Sequence, residues 1–144
     1  MNFNEILIKH NDGISTIVLN RPETMNVLTL DMLRELKQGL EYCSSDEKTK
    51  VVIVTGTGRS FSAGGDINTM VSGLDSVQTL RFVEASADMV RLIRSMEKPV
   101  IAAVNGLAVG AGFNYALASD LIIASDQARF ILGFSKIGMI PDAG

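Results

Sequence analysis

The sequence predicts an α/β domain with crossover connections, and three observations carry that expectation. First, the short apolar runs "VVIVTG" (51–56) and "VIAAVNG" (100–106) each end in glycine and are rich in β-branched residues. Such runs read as strands buried on both faces. Second, each is followed by a glycine-rich turn and then by residues that read as a helix, so the order strand, turn, helix occurs twice. Third, 144 residues suit a single domain, and no Pro-, Gly- or Ser-rich linker divides them.

The elements follow in order. In "EILIKHNDGISTIVLN" two apolar runs flank Asn11-Asp12-Gly13, the composition of a hairpin turn, so residues 5–9 and 14–19 are expected to pair as strands. "RPETMNVL" is a loop set by Pro22. Thr29 is a candidate N-cap for a helix whose apolar positions Met32, Leu33, Leu36 and Leu40 recur at helical spacing and which ends near Cys43. After the strand at 51–56, the pattern Leu80, Val83, Ala87, Val90, Leu92, Ile93 and Met96 predicts a helix within 74–96, capped by Asp75 or Ser76 and stopped by Lys98-Pro99. "AGFNYALAS" (111–119) reads as a further helix and "LIIAS" (121–125) as a strand.

Composition excludes several function classes. Hydrophobic residues make up 47% and charged residues 20% of the chain, and the formal charge is -3. The few Lys and Arg are scattered, so no basic face offers itself to nucleic acid. Residues 99–119 carry no charge over 21 positions, long enough to span a bilayer. Asn105, Asn114, Tyr115, Ser119 and three glycines within them argue instead for a buried strand and a packed helix, and hence for no membrane partner. The single cysteine, Cys43, reads as a small buried hydrophobe, and the single histidine, His10, as a surface residue beside a turn. No Ser/His or Cys/His pair and no metal-ligand cluster emerges. One unpaired cysteine and a polar, acidic start rather than a signal sequence point to the cytoplasm.

The chemistry is expected at the glycine turns "FSAGGDI" (61–67) and "NGLAVGAGFN" (105–114). Backbone N–H groups at the entry to a helix lack helical partners and can face an anion, and glycine lets a ligand approach closely. Donors from around Gly64 and Gly65 in one turn, and from Gly110, Ala111 and Gly112 in the other, could converge on one carbonyl oxygen as an oxyanion hole. Taken singly, each turn is weak, since glycine at a tight turn is by default structural. Neither has G-x-G-x-x-G between strand and helix with a later acidic residue, and neither has the Lys-Ser/Thr of a P-loop.

Four segments in sequence order, "LNRPETMNVL", "VVIVTGTGRSFSAGGDI", "KPVIAAVNGLAVGAGFNYALASDLIIAS" and "ARFILGFSKIGMIPDAG", resemble the enoyl-CoA hydratase/isomerase (crotonase) superfamily over essentially the whole chain. The resemblance implies a crotonase-like fold of repeated ββα units, with 1–144 as its core domain and the C-terminal helical part outside this chain. It implies an acyl-CoA thioester as substrate, coenzyme A entering with the substrate and no other cofactor or metal, and a homotrimer or hexamer at full length. By position, the two anion-hole donors fall on Gly65 and Ala111. Met25, Val27, Ala63, Asp66 and Ile67 fall along the CoA moiety, with Val27 where the family usually has Ala, and packing is the alternative role for Met25. Asp66 reads as a cap of the turn.

The hydratases of this superfamily carry two glutamates that activate water, and here those positions hold Asn114 and Phe134. Neither side chain exchanges a proton usefully, which disfavours water addition. Asn114 is left as a hydrogen-bonding or packing residue and Phe134 as a wall of the acyl pocket. Asp142, in "IPDAG", falls where some isomerases and dehalogenases of the superfamily place a catalytic aspartate, although an Asp after Pro is also ordinary turn chemistry. The expectation is therefore an enoyl-CoA isomerase using Asp142, with a hydratase or a non-catalytic acyl-CoA-binding module as alternatives.

Overall fold

The computed structural model describes residues 3–67 and 75–141. The chain opens with a hairpin of β1 (Ile6–Asn11) and β2 (Ile14–Leu19), antiparallel with Asn11 opposite Ile14. Asp12 and Gly13 both have positive φ, 45° and 79°, the backbone of a two-residue turn that matches strand twist. Helix α1 (Leu30–Ser45) starts at Thr29, whose hydroxyl accepts the Met32 N–H at 3.0 Å. Its face of Met32, Leu33, Leu36, Leu40 and Cys43 is buried, and Lys98 Nζ donates to the Cys43 and Asp46 carbonyls at its far end. Helix α2 (Ser76–Ser95) opens on a full capping box between Asp75 and Gln78.

The remaining elements are β3 (Val51–Gly56), β4 (Ser60–Ser62), β5 (Val100–Val104), β6 (Leu107–Val109), α3 (Ala111–Ala118), β7 (Leu121–Ala124), β8 (Arg129–Ile131) and a 3-10 turn at Phe134–Ile137. They form two sheets. The larger has the order β1-β2-β3-β5-β7 and is parallel apart from the opening hairpin; the smaller has the order β4-β6-β8 and is parallel throughout. Three times the chain leaves a strand of the large sheet and adds the next strand to the small one, as β3 to β4, β5 to β6 and β7 to β8.

This corrects the sequence reading in three places. The small sheet was not foreseen, because its strands have three residues each, and β4 and β6 overlap what read as glycine turns. Gly56 consequently leads into β4 rather than into a helix, and "VIAAVNG" ends as a strand at Val104. Nor is β3 buried on both faces: Val52 and Val54 are buried while Val51, Ile53 and Thr55 are half-buried.

The core lies where α1 covers the large sheet and packs against α2, which in turn packs against α3. The uncharged stretch 99–119 contributes β5, β6 and all of α3, and among the described residues no helix is long and apolar enough to cross a membrane. At the opposite side, Leu121, Ile122 and Ile123 of β7 and Phe130 and Ile131 of β8 are exposed.

Candidate active site

The two glycine turns meet. Gly64 has φ +84°, and a Cβ built on it would lie 2.5 Å from the Val109 carbonyl oxygen and 3.6 Å from the Ala111 nitrogen. A side chain there would be strained by conformation and would also strike the other turn. Gly112 is equally constrained: a Cβ on it would fall 2.6 Å from Cβ of Ser62. The end of β4 and the start of α3 are therefore in van der Waals contact through bare backbone.

Which way the amides point follows from peptide planarity, since in a trans peptide the C=O of one residue and the N–H of the next face opposite ways. The Gly64 carbonyl accepts the N–H of buried Leu28 at 2.8 Å, so the Gly65 N–H points away from Leu28. The Gly110 carbonyl accepts the Asn114 N–H at 3.0 Å, along the axis of α3, so the Ala111 N–H points out from the helix N-terminus. Neither N–H has an acceptor among the described residues, and Gly65 and Ala111 line one cavity of about 80 Å³. That is room for more than one water or for a short acyl segment.

The cavity is apolar. Ala63, Ile67, Phe82, Val109, Leu132, Phe134, Ile137 and Met139 line it with the glycine turns, and Ser86 brings the single polar side chain among the described lining residues. The Ser86 hydroxyl is bonded to the Tyr115 hydroxyl at 3.0 Å, between α2 and α3. No acid or base side chain lines the cavity among the described residues, and among these no three of His, Cys, Asp and Glu gather as a metal site. A developing anion here would meet amide dipoles in a poorly solvated setting, where each is worth more than in water.

Of the residues singled out in the sequence, Gly65, Ala111, Ala63, Ile67 and Phe134 come together around this cavity. Met25 and Val27 lie half-buried on the loop before α1, beside it rather than in it. The Met25 carbonyl accepts the Ala63 N–H at 2.9 Å, which ties that loop to the first glycine turn. Asp66 is half-buried and follows Gly65 directly. Asn114 is on α3, 2% exposed and outside the cavity lining, and neither atom of its side-chain amide has a partner among the described residues. Asp142 lies outside the described residues; Met139, three positions before it, lines the cavity.

Sequence reasoning missed the scaffold of the site. Asn26 is fully buried with φ 55°, and its Nδ2 donates to the carbonyls of Thr57, Ser60 and Phe61 while its Oδ1 accepts the Arg21 N–H. Ser62 is also fully buried, donating to the Asn26 carbonyl at 2.8 Å and accepting the Gly64 N–H at 3.1 Å. An asparagine in the loop that Pro22 sets was the available signal for the first; nothing in the sequence marks the second. Cys43 and His10 stand as read. Cys43 is buried in the core, which pushes its thiol above the ordinary value, and His10 is exposed with Nδ1 3.1 Å from the Ser15 hydroxyl.

Comparisons with known proteins bear on the family and the fold. The enoyl-CoA hydratase/isomerase family profile matches residues 9–144. A trans-2-decenoyl-[acyl-carrier-protein] isomerase from Streptococcus mutans is 35% identical over all of this chain and 56% of its own length. A probable enoyl-CoA hydratase from Rhodobacter capsulatus is 39% identical, over 100% of this chain and 55% of its own. Among solved structures, an enoyl-CoA hydratase from Bacillus anthracis superposes with a TM-score of 0.92 at 32% identity, covering 98% of this chain and 55% of the other. The two-sheet core is thus the crotonase fold, and the chain spans about half the length of the curated relatives it matches.

Proposed function

The chain belongs to the enoyl-CoA hydratase/isomerase family, and from that premise we propose that it serves an enzyme which holds an acyl-CoA thioester oxygen between the N–H groups of Gly65 and Ala111. The observation that supports this reading is the pair of acceptor-free amides on two residues that line one apolar cavity. Removing a proton next to a thioester carbonyl places negative charge on that oxygen, and preorganised donors stabilise the resulting enolate. Ala63, Asp66, Ile67, Met25 and Val27 would follow the CoA, which arrives with the substrate; no further cofactor is invoked.

Within the family we favour isomerisation over hydration. Hydration needs acid and base groups to activate water, and Asn114 and Phe134 supply neither. Asp142 is the carboxylate within reach in sequence of the lining residue Met139, and as a shuttle between two carbons of the enolate it would contribute about 10²–10⁴-fold. Asn114, buried outside the cavity lining with its amide unpaired, would hold a water, since an unmade hydrogen bond there costs about 1–3 kcal/mol. The exposed apolar strands β7 and β8 offer surface for a homotrimer or hexamer.

The test is a panel of 2-enoyl and 3-enoyl thioesters, carried on CoA and on acyl carrier protein, followed for double-bond migration and for water addition. Migration on CoA esters that is lost in Asp142→Asn, with ligand binding retained, is the expected result. Undiminished turnover in Asp142→Asn removes that residue from the mechanism; hydration without migration selects the hydratase; binding without turnover selects the non-catalytic module.

A further inference from the structure

The Gly65 amide is held by no side chain of its own, and both residues of its peptide are glycine, so a pivot of that peptide is cheap unless its neighbours restrain it. Ser62 supplies the restraint. Its hydroxyl accepts the Gly64 N–H at 3.1 Å and donates to the Asn26 carbonyl at 2.8 Å, and Asn26 is itself fastened by its side chain to three carbonyls around β4. Together with the Leu28 N–H on the Gly64 carbonyl, this fixes both polar groups of Gly64, and the direction of the following N–H is then determined.

Ser62 also touches the second donor's helix. A Cβ on Gly112 would lie 2.6 Å from Ser62 Cβ and 2.8 Å from its Oγ, so the first turn of α3 rests directly on this side chain. One buried residue therefore bears on both amides: by hydrogen bond on the turn carrying Gly65, by contact on the helix opened by Ala111. We propose that Ser62 is a positioning residue that sets the aim of the Gly65 N–H relative to the Ala111 N–H, an inference that rests on the thioester reading above. The substrate never meets it.

Butyryl-CoA, labelled with ¹³C at the thioester carbonyl, tests this by isotope-edited infrared spectroscopy on the full-length protein. Two donors on the oxygen lower the carbonyl stretching frequency of the bound ester below that of the free ester. In Ser62→Ala the Cβ contact with α3 remains and the hydroxyl is lost; we expect the dissociation constant to stay within about threefold while the frequency shift falls to about half or less. A full wild-type shift in folded Ser62→Ala overturns the proposal. Should that variant fail to fold, Ser62→Cys, with a weaker donor and acceptor in the same space, is read in the same way. Wild-type protein that binds butyryl-CoA with no shift, or does not bind it, overturns the thioester reading itself, whatever the variants do.

Discussion

Ala111→Pro deletes one donor while sparing the fold. Ala111 is the first residue of α3, where the N–H has no helical acceptor and where proline's fixed φ suits the helix. Proline constrains the residue before it through that residue's N–H and Cβ and disfavours its α region, but Gly110 has no Cβ and at φ 51°, ψ -123° lies outside that region. No hydrogen bond among the described residues is lost, so the unfolding free energy should change by less than about 1 kcal/mol. If that N–H holds the thioester oxygen as proposed, the transition state would lose a donor to its oxyanion, at a cost of about 2.7–4 kcal/mol or 10²–10³ in kcat. The assay is turnover of whichever enoyl-CoA proves to be the substrate, beside a urea unfolding curve and butyryl-CoA binding, the last to show that the ring methylenes leave the cavity open. Turnover within about threefold of wild type, in a folded protein that binds ligand, refutes the assignment of the Ala111 amide.

Two further outcomes follow from the geometry. Gly64→Ala meets both a left-handed backbone and the Val109 carbonyl, and should destabilise by about 2–5 kcal/mol in urea unfolding, the sum of conformational strain and overpacking; a loss below about 1 kcal/mol would mean the two turns do not touch. The Cys43 thiol, raised by burial, holds less thiolate than a free one, so the native protein should resist iodoacetamide at pH 8 and react once unfolded. Because the folded thiol pKa lies above the unfolded one, its contribution to stability is complete below the ordinary thiol value and is lost as pH rises through the folded value. Rapid native labelling would place Cys43 outside the core.

How much could be read from the sequence depended on whether an element declares itself within a few residues. The β1–β2 hairpin, α1, α2 and α3 did, through turn composition, caps at Thr29 and Asp75, and helical spacing of apolar side chains. The strands β4, β6 and β8 did not: three residues cannot show a period of two, and their pairing joins positions such as Ser60 and Leu107 that lie far apart in the chain. The site divides in the same manner. Glycine turns pointed to bare amides, and the family resemblance singled out Gly65, Ala111 and Phe134, but the peptides of Gly65 and Ala111 are held by Leu28 and Asn114 through backbone bonds that no side chain announces. Ser62 and Ser86 read as two ordinary serines; only burial reveals that one supports a turn and the other faces the cavity.

The threefold hand-over from the large sheet to the small one has a consequence for how new chemistries arise here. Each hand-over ends in a glycine at the same rim, so Gly64, Gly110 and Gly133 all border the cavity, with φ of 84°, 51° and 59°. In the third copy the following amide, that of Phe134, is consumed by the Leu132 carbonyl at 2.6 Å, and an aromatic ring stands where the other copies bare their nitrogens. Two hand-overs thus leave an acceptor-free amide beside the cavity, and the third puts a side chain there instead. A substitution at Phe134 can therefore reshape the cavity while leaving the peptides of Gly65 and Ala111 as they are.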